Sequence, residues 1–248
     1  MNKNIDKLYA LSNKPLRKVI GLMSGTSVDG LDVALCSIEG SGKNTRLKLV
    51  QFETVAFDTK MKAEVKSVFS KKFVDLEKLT LLNAWIALQH AAIINSLLHK
   101  WKIKKEEVDL IASHGQTIYH APKSLHQQPD FGNATLQIGD GDHLAVATGI
   151  ITISDFRQKN IAAGGEGAPL AVYGDYLIFG KPGEDRILLN IGGIANFTYL
   201  PADMDTAKIF STDTGPGNTM MDAFVQQHFP GKFFDENADI AYSGTVND

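Results

Sequence analysis

Val19-Ile20-Gly21-Leu22-Met23-Ser24-Gly25-Thr26-Ser27-Val28-Asp29-Gly30-Leu31-Asp32-Val33-Ala34-Leu35 reads as a strand, a turn of glycine and hydroxyl residues holding one carboxylate, and a second strand. Such a turn suits a phosphoryl group. Glycines let backbone N–H groups converge, hydroxyls add donors, and a carboxylate holds the cation that neutralises phosphate oxygens. The same residues also read as a plain β-hairpin in which Asp29-Gly30 supplies a turn favouring positive φ. Both readings stand on this stretch alone.

Outward from it, the chain is globular in composition: 248 residues, 44% hydrophobic, 21% charged. A net charge of -3 argues against broad nucleic-acid binding. Apolar runs stop short of the roughly 20 residues that a membrane helix needs, and charged residues stand where a signal peptide has its apolar stretch. No membrane role and a cytoplasmic location are therefore expected. The single cysteine, Cys36, lies in an apolar strand and is expected to pack in the core.

Strands are expected near 18–24, 31–38 and 46–57, giving an antiparallel meander, then helices over 60–71 and 75–101. A short strand over 108–112 delivers Ser113-His114-Gly115-Gln116-Thr117 to its end, a common site position in α/β sheets. An irregular loop over 121–134 follows, then a helix near 141–148, a strand at 150–154 and a helix over 168–180. A second unit opens near Asp185, where strand 186–191, a turn holding Gly192 and Gly193, and a returning strand repeat the order of the first stretch. Two such turns suggest a pseudo-duplication with nucleotide held between lobes. The expected division is an N-terminal arm over 1–17, a first lobe over 18–184 and the beginning of a second over 185–248. The second is short for a duplicate, so the chain reads as a fragment.

Asp213, at a strand end among glycines in Asp213-Thr214-Gly215-Pro216-Gly217-Asn218, is the strongest candidate for a general base. The helix start after it could offer N–H groups to an anion. Its alternative role is to cap that helix. Arg157, two residues after Asp155, could fork onto a carboxylate or phosphate, or form a structural ion pair. The turn 164–169 suits backbone contact with a ligand or a tight connection. His114 and His120 lack cysteine partners and the HExxH spacing, which points away from zinc and towards polar contact. Asp140 and Asp142 could help hold magnesium through water, orient substrate, or simply belong to an acidic surface turn. No GxxxxGK[ST] segment is present, so an ordinary P-loop is excluded.

Taken in order, GLMSGTSVDGLD, ASHGQTIYH, TLQIGDG, DFRQKNIAAGGEGAPL, LLNIGGIANFTYL and DTGPGNTMMDA closely resemble the anhydro-N-acetylmuramic acid kinases, in the actin-like, sugar-kinase and heat-shock-ATPase superfamily. The resemblance implies an α/β fold of two ribonuclease-H-like lobes, mixed sheets flanked by helices, with the second lobe truncated here. It implies ATP and Mg2+ in the cleft, a homodimer, and a role in peptidoglycan recycling. In the implied reaction, water opens 1,6-anhydro-N-acetylmuramic acid while O6 accepts the γ-phosphoryl group of ATP. Another sugar or acyl kinase, or a non-catalytic nucleotide-binding protein, are the alternatives.

Carried onto this sequence, phosphate contacts fall on Gly25, Thr26, Ser27, Asp29 and Gly30, and on Asn190, Gly192 and Gly193, with Asp29 reaching Mg2+ through water. The base falls on Asp213. Substrate contacts fall on His114, Gln116, Asp155, Arg157, Gly165, Glu166 and Gly167. Asn160 stands where the family usually has aspartate and Glu166 where it has glutamine. Both departures bear on sugar affinity.

Overall fold

The computed structural model describes residues 3–245. After helix α1 (Lys3–Asn13), strands β1 (Leu16–Ser24), β2 (Gly30–Glu39) and β3 (Arg46–Ala56) form the expected antiparallel meander. Helices α2 (Thr59–Val68) and α3 (Leu76–Lys100) start at Asp58 and Asp75, whose carboxylates accept from Met61 N and Lys78 N. Strand β4 (Leu110–Ala121), the helical turn α4 (Lys123–His126), β5 (Ala134–Ile138), α5 (Gly141–Thr148), β6 (Thr152–Ser154) and α6 (Phe156–Ala162) complete a six-stranded mixed sheet. Its order is β3-β2-β1-β4-β5, with β6 also paired to β4.

One face of that sheet is the core. Ile20 and Leu22 on β1, Leu31, Val33 and Leu35 on β2, and Ile111 on β4 are buried in one cluster with Val65 on α2 and Ile86 and Ile94 on α3. Burying a side chain of this size contributes about 1.5–3 kcal/mol, so the cluster dominates the stability of this unit. By length and composition α3 is able to cross a membrane, yet Leu82, Ile86, Ala91, Ile94 and Leu97 on it belong to this core. The apolar run that looked interrupted in sequence is a buried core helix. Cys36 is only half-buried, and burial pushes its thiol pKa up.

Two expectations need correction here. The segment 113–117 is no terminal turn, because β4 runs through it to Ala121. Gly115 allows this: its φ is +72°, and a Cβ there would lie 2.6 Å from the Ile138 carbonyl oxygen. The loop over 121–134 contains the single helical turn α4, closed by Gln127 in the left-handed region.

A second compact unit runs from Ala171, where the first, ending at Leu170, stops. It holds α7 (Val172–Phe179), shorter than the expected 168–180, then β7 (Arg186–Ile191), β8 (Ile194–Leu200), β9 (Phe210–Pro216), α8 (Asn218–His228) and the short α9 (Asp239–Ser243). The three strands make an antiparallel sheet in the order β7-β8-β9. Its buried side chains are few: Tyr176, Thr198, Leu200, Pro201 and Val225. Ile187, Leu189, Phe210, Phe224 and Phe233 are exposed.

Candidate functional site

In the first unit the β1–β2 turn is held from below by β4. Gln116 is fully buried; its Oε1 accepts from Ser24 Oγ at 2.6 Å, and its Nε2 donates to the Gly25 carbonyl at 3.2 Å. The left-handed residue of the turn is Val28, at φ 55°, and not Gly30. A β-branched residue there is strained by about 1–3 kcal/mol, and Val28 stays because its side chain is buried in the core. Gly30 is required for another reason, since a Cβ would lie 2.7 Å from the Val55 carbonyl oxygen. Thr26, Ser27 and Asp29 are exposed, with Ser27 Oγ donating to Asp29 Oδ1 at 2.8 Å. The turn therefore presents hydroxyls and a carboxylate to solvent over a fixed base.

Gln116→Ala deletes the group that fixes this turn. About 1–3 kcal/mol of stability should be lost with these two hydrogen bonds, leaving Ser24 Oγ only its bond to the Gly30 carbonyl and the Gly25 carbonyl only the one from Val28 N. Thermal melting of the variant tests this.

Around α6 a second set of groups converges. Arg157 Nε donates to His114 Nε2 at 2.8 Å and its Nη1 to the Gly167 carbonyl at 2.5 Å. His114 Nδ1 then carries the proton and donates to the Gly115 carbonyl at 2.9 Å. Burial, followed by the Arg157 cation, pushes the His114 pKa down against the opposing bond to Gly115. The imidazole is thus a neutral strut that orients the guanidinium, and two edges of the expected Arg157 fork are already occupied. Asn160 Oδ1 accepts from Gly167 N at 2.8 Å, and Asn133 Nδ2 donates to the Gly165 carbonyl at 3.0 Å. Asn160 supports the loop by an oxygen that aspartate also has. Glu166 is exposed, and its charge raises the His120 pKa against the stronger downward effects of burial and Arg157. Asp155, exposed and in the left-handed region at φ 63°, is the N-cap residue of α6, but its side chain makes no capping hydrogen bond.

In the second unit, Asn190 on β7 lies opposite Asn196 on β8, which lies opposite Asp213 on β9. Asp213 is inside a strand, not past its end, and exposed. It does not cap α8, whose N-cap residue is Gly217. The start of α8 offers little to an anion either. Gly217 N donates to the Gly193 carbonyl at 2.9 Å, Asn218 N to the Gly192 carbonyl at 2.8 Å, and Thr219 Oγ1 to the Gly193 carbonyl at 2.6 Å. The turn at Gly192 and Gly193 is locked by its carbonyls onto α8. Asn196 was missed in the sequence; the β8–β9 register, with its irregularity between Ala195 and Asn196, places it beside Asp213.

Among the described residues no cluster of three or more His, Cys, Asp or Glu could hold a metal. Magnesium does not need one, because it keeps most of its waters and takes one or two carboxylates beside phosphate oxygens. Asp29 fits that requirement.

A mixed sheet flanked by helices and opening on a glycine and hydroxyl turn, with a second, antiparallel sheet, is consistent with the actin-like superfamily of ATP-handling proteins. The sequence comparisons narrow this class. A profile of the anhydro-N-acetylmuramic acid kinase family matches residues 17–248, and the chain belongs to that family. It is 59% identical over 247 residues to the anhydro-N-acetylmuramic acid kinase of Pseudoalteromonas atlantica, covering 100% of the chain and 62% of that protein. The enzyme of that name from Pseudoalteromonas translucida is 56% identical over the same shares. That of Caldanaerobacter subterraneus subsp. tengcongensis is 38% identical over 98% of the chain and 62% of its own length. The chain thus spans less than two thirds of these relatives.

Proposed function

We propose that the gene product is an ATP-dependent kinase that hydrolytically opens 1,6-anhydro-N-acetylmuramic acid and phosphorylates its O6, giving N-acetylmuramic acid 6-phosphate in peptidoglycan recycling. Family membership supports the substrate, and the observation that carries the chemistry is Asp213. It is an exposed carboxylate that neither caps α8 nor joins a salt bridge among the described residues. As general base it takes a proton from water. The hydroxide attacks the anomeric carbon, the C1–O6 bond breaks, and O6 attacks the γ-phosphorus as ADP leaves. Asn196 and Asn190, in register with Asp213, orient the water and polar substrate groups.

Gly25, Thr26, Ser27 and Gly30, and Asn190, Gly192 and Gly193, contact phosphate. His114, Gln116, Asp155, Arg157, Gly165, Glu166 and Gly167 serve the sugar, with Gln116 and His114 acting through the groups they hold. Asp29 would hold Mg2+, which would supply charge neutralisation at the phosphate oxygens. We also infer two ribonuclease-H-like lobes, of which residues 185–248 form only the beginning of the second. The exposed apolar side chains of β7 and β9, Ile187, Leu189 and Phe210, support this. A homodimer, supported by exposed Leu47, Leu49 and Phe52 on edge strand β3, and a cytoplasmic location complete the reading.

The test offers the full-length gene product 1,6-anhydro-N-acetylmuramic acid, N-acetylglucosamine, glucose and acetate with ATP. Phosphorylation of the anhydro sugar alone is expected, at about 1–100 per second, and residues 1–248 by themselves should turn over far more slowly. Preferred phosphorylation of glucose or acetate overturns the assignment.

A further inference from the structure

A chain of polar side chains in the second unit runs from α7 to the strand that holds Asp213. Asp175 on α7 is half-buried and joins no salt bridge among the described residues. Thr198 on β8, 4% exposed, is bonded on both sides: its Oγ1 lies 3.2 Å from Asp175 Oδ2 and 3.3 Å from Ser211 Oγ on β9. The register pairs Thr198 with Ser211 and Asn196 with Asp213. Side chains alternate across a strand, so Ser211 and Asp213 project from the same face of β9, about 6.5 Å apart along it. The polar chain therefore ends beside the candidate base.

Its three groups have one consistent direction. A threonine hydroxyl holds a single proton, and an ionised carboxylate can only accept. Burial pushes the Asp175 pKa up and the Thr198 bond pulls it down, so that bond favours the ionised form. Thr198 then donates to Asp175, and Ser211 must donate to Thr198. With its proton spent there, Ser211 Oγ has only lone pairs to offer anything bound beside Asp213. Fastening α7 to β8 needs Asp175 and Thr198 alone. The further link to Ser211 passes the effect of the carboxylate on to the neighbour of the base.

We propose that Asp175, acting through Thr198, is a positioning residue that keeps Ser211 an acceptor for the attacking water. That water donates twice on this face of β9. One proton goes to the Asp213 carboxylate, which takes it; the other is held by Ser211 Oγ and stays on the new C1 hydroxyl. A single water with hydrogen bonds of about 2.8 Å bridges two such neighbours, and its free lone pair is left for the anomeric carbon. In a reversed chain Ser211 would donate to the water or to Asp213 and draw electron density from the group that must react. The proposal deepens the kinase reading and rests on it for the identity of the base.

The test measures kcat and KM of the full-length gene product with 1,6-anhydro-N-acetylmuramic acid and ATP, with Asp213→Asn run alongside. Ser211→Ala and Asp175→Ala are each expected to lower kcat about tenfold and to leave KM for both substrates within about twofold, because the lost bond orients water rather than substrate. The double variant should be no slower than Ser211→Ala, since Asp175 acts only through that hydroxyl. Thr198→Val should show the same loss, and Thr198→Ser, which keeps a hydroxyl, should recover it. A wild-type kcat in Ser211→Ala beside a slowed Asp213→Asn overturns the proposal and leaves the base standing. Losses that multiply in the double variant also overturn it, because each side chain then acts on its own. Should Asp175→Ala fail to fold, the two Thr198 variants decide, and equal rates in them end the proposal. A wild-type kcat in Asp213→Asn removes the base, and this proposal with it.

Discussion

Asp213→Asn is expected to lower kcat of the full-length gene product about 10²–10⁴-fold, the usual contribution of a positioned general base. The substitution keeps the shape of the side chain and removes only its basicity. Asp213 has no fold-level duty to lose: it is exposed, lies in β9, and leaves the start of α8 to the Gly192 and Gly193 carbonyls. Stability should therefore move by less than about 0.5 kcal/mol, and ATP affinity should hold. An unchanged kcat removes Asp213 from the chemistry. A large fall in melting temperature shows instead that the carboxylate was structural. Asn196→Ala should give a smaller loss of kcat, since in the proposed mechanism that side chain orients the water and Asp213 takes the proton.

His90→Leu is expected to stabilise the first unit against mild acid. His90 is 1% exposed on α3, stacked on Phe57 with ring centroids 6.1 Å apart, and both ring nitrogens lack partners. Burial pushes its pKa down to about 4, so the folded protein holds it neutral while the unfolded chain protonates it near 6.5. The unfolded state then binds more protons between these values. Stability is full above about pH 6.5 and is lost as pH falls towards 4, by about 3 kcal/mol in total.

In the leucine variant that loss should vanish, and stability at pH 7 should not fall, because two unpaired buried nitrogens are gone. Denaturant unfolding followed by tryptophan fluorescence measures this in the correct unit, since Trp85 and Trp101 both belong to α3 or its C-cap. Carboxylates with depressed pKa values, such as Asp140, lose their contribution only as pH falls further, and they cancel in the comparison. Parallel pH curves for the two proteins would mean that His90 finds a partner or water in solution.

Much of this was legible along the chain because it is local. The meander of β1, β2 and β3 follows from alternation broken by turn residues, and α3 from apolar residues at helical spacing. Misreadings arose where a distant segment decides the conformation. Residues 113–117 look like a turn because glycine usually ends a strand, but the Ile138 carbonyl packs against Gly115 and β4 continues. Asp213 looks like a residue beyond a strand because glycines and a proline follow it, but pairing with β8 carries β9 on to Pro216.

The sequence by itself determined the strand-turn-strand units, the two glycine turns and the family, and it singled out Asp213 as the candidate base, because all of these depend on residue type and spacing. Only the tertiary structure decided that Gln116 lies beneath the β1–β2 turn, that His114 is a strut for Arg157, that Asn196 faces Asp213, and that Thr198 links Asp175 to Ser211. These depend on cross-strand register between segments tens of residues apart. Hydrophobic burial sets that register, and no local pattern encodes it.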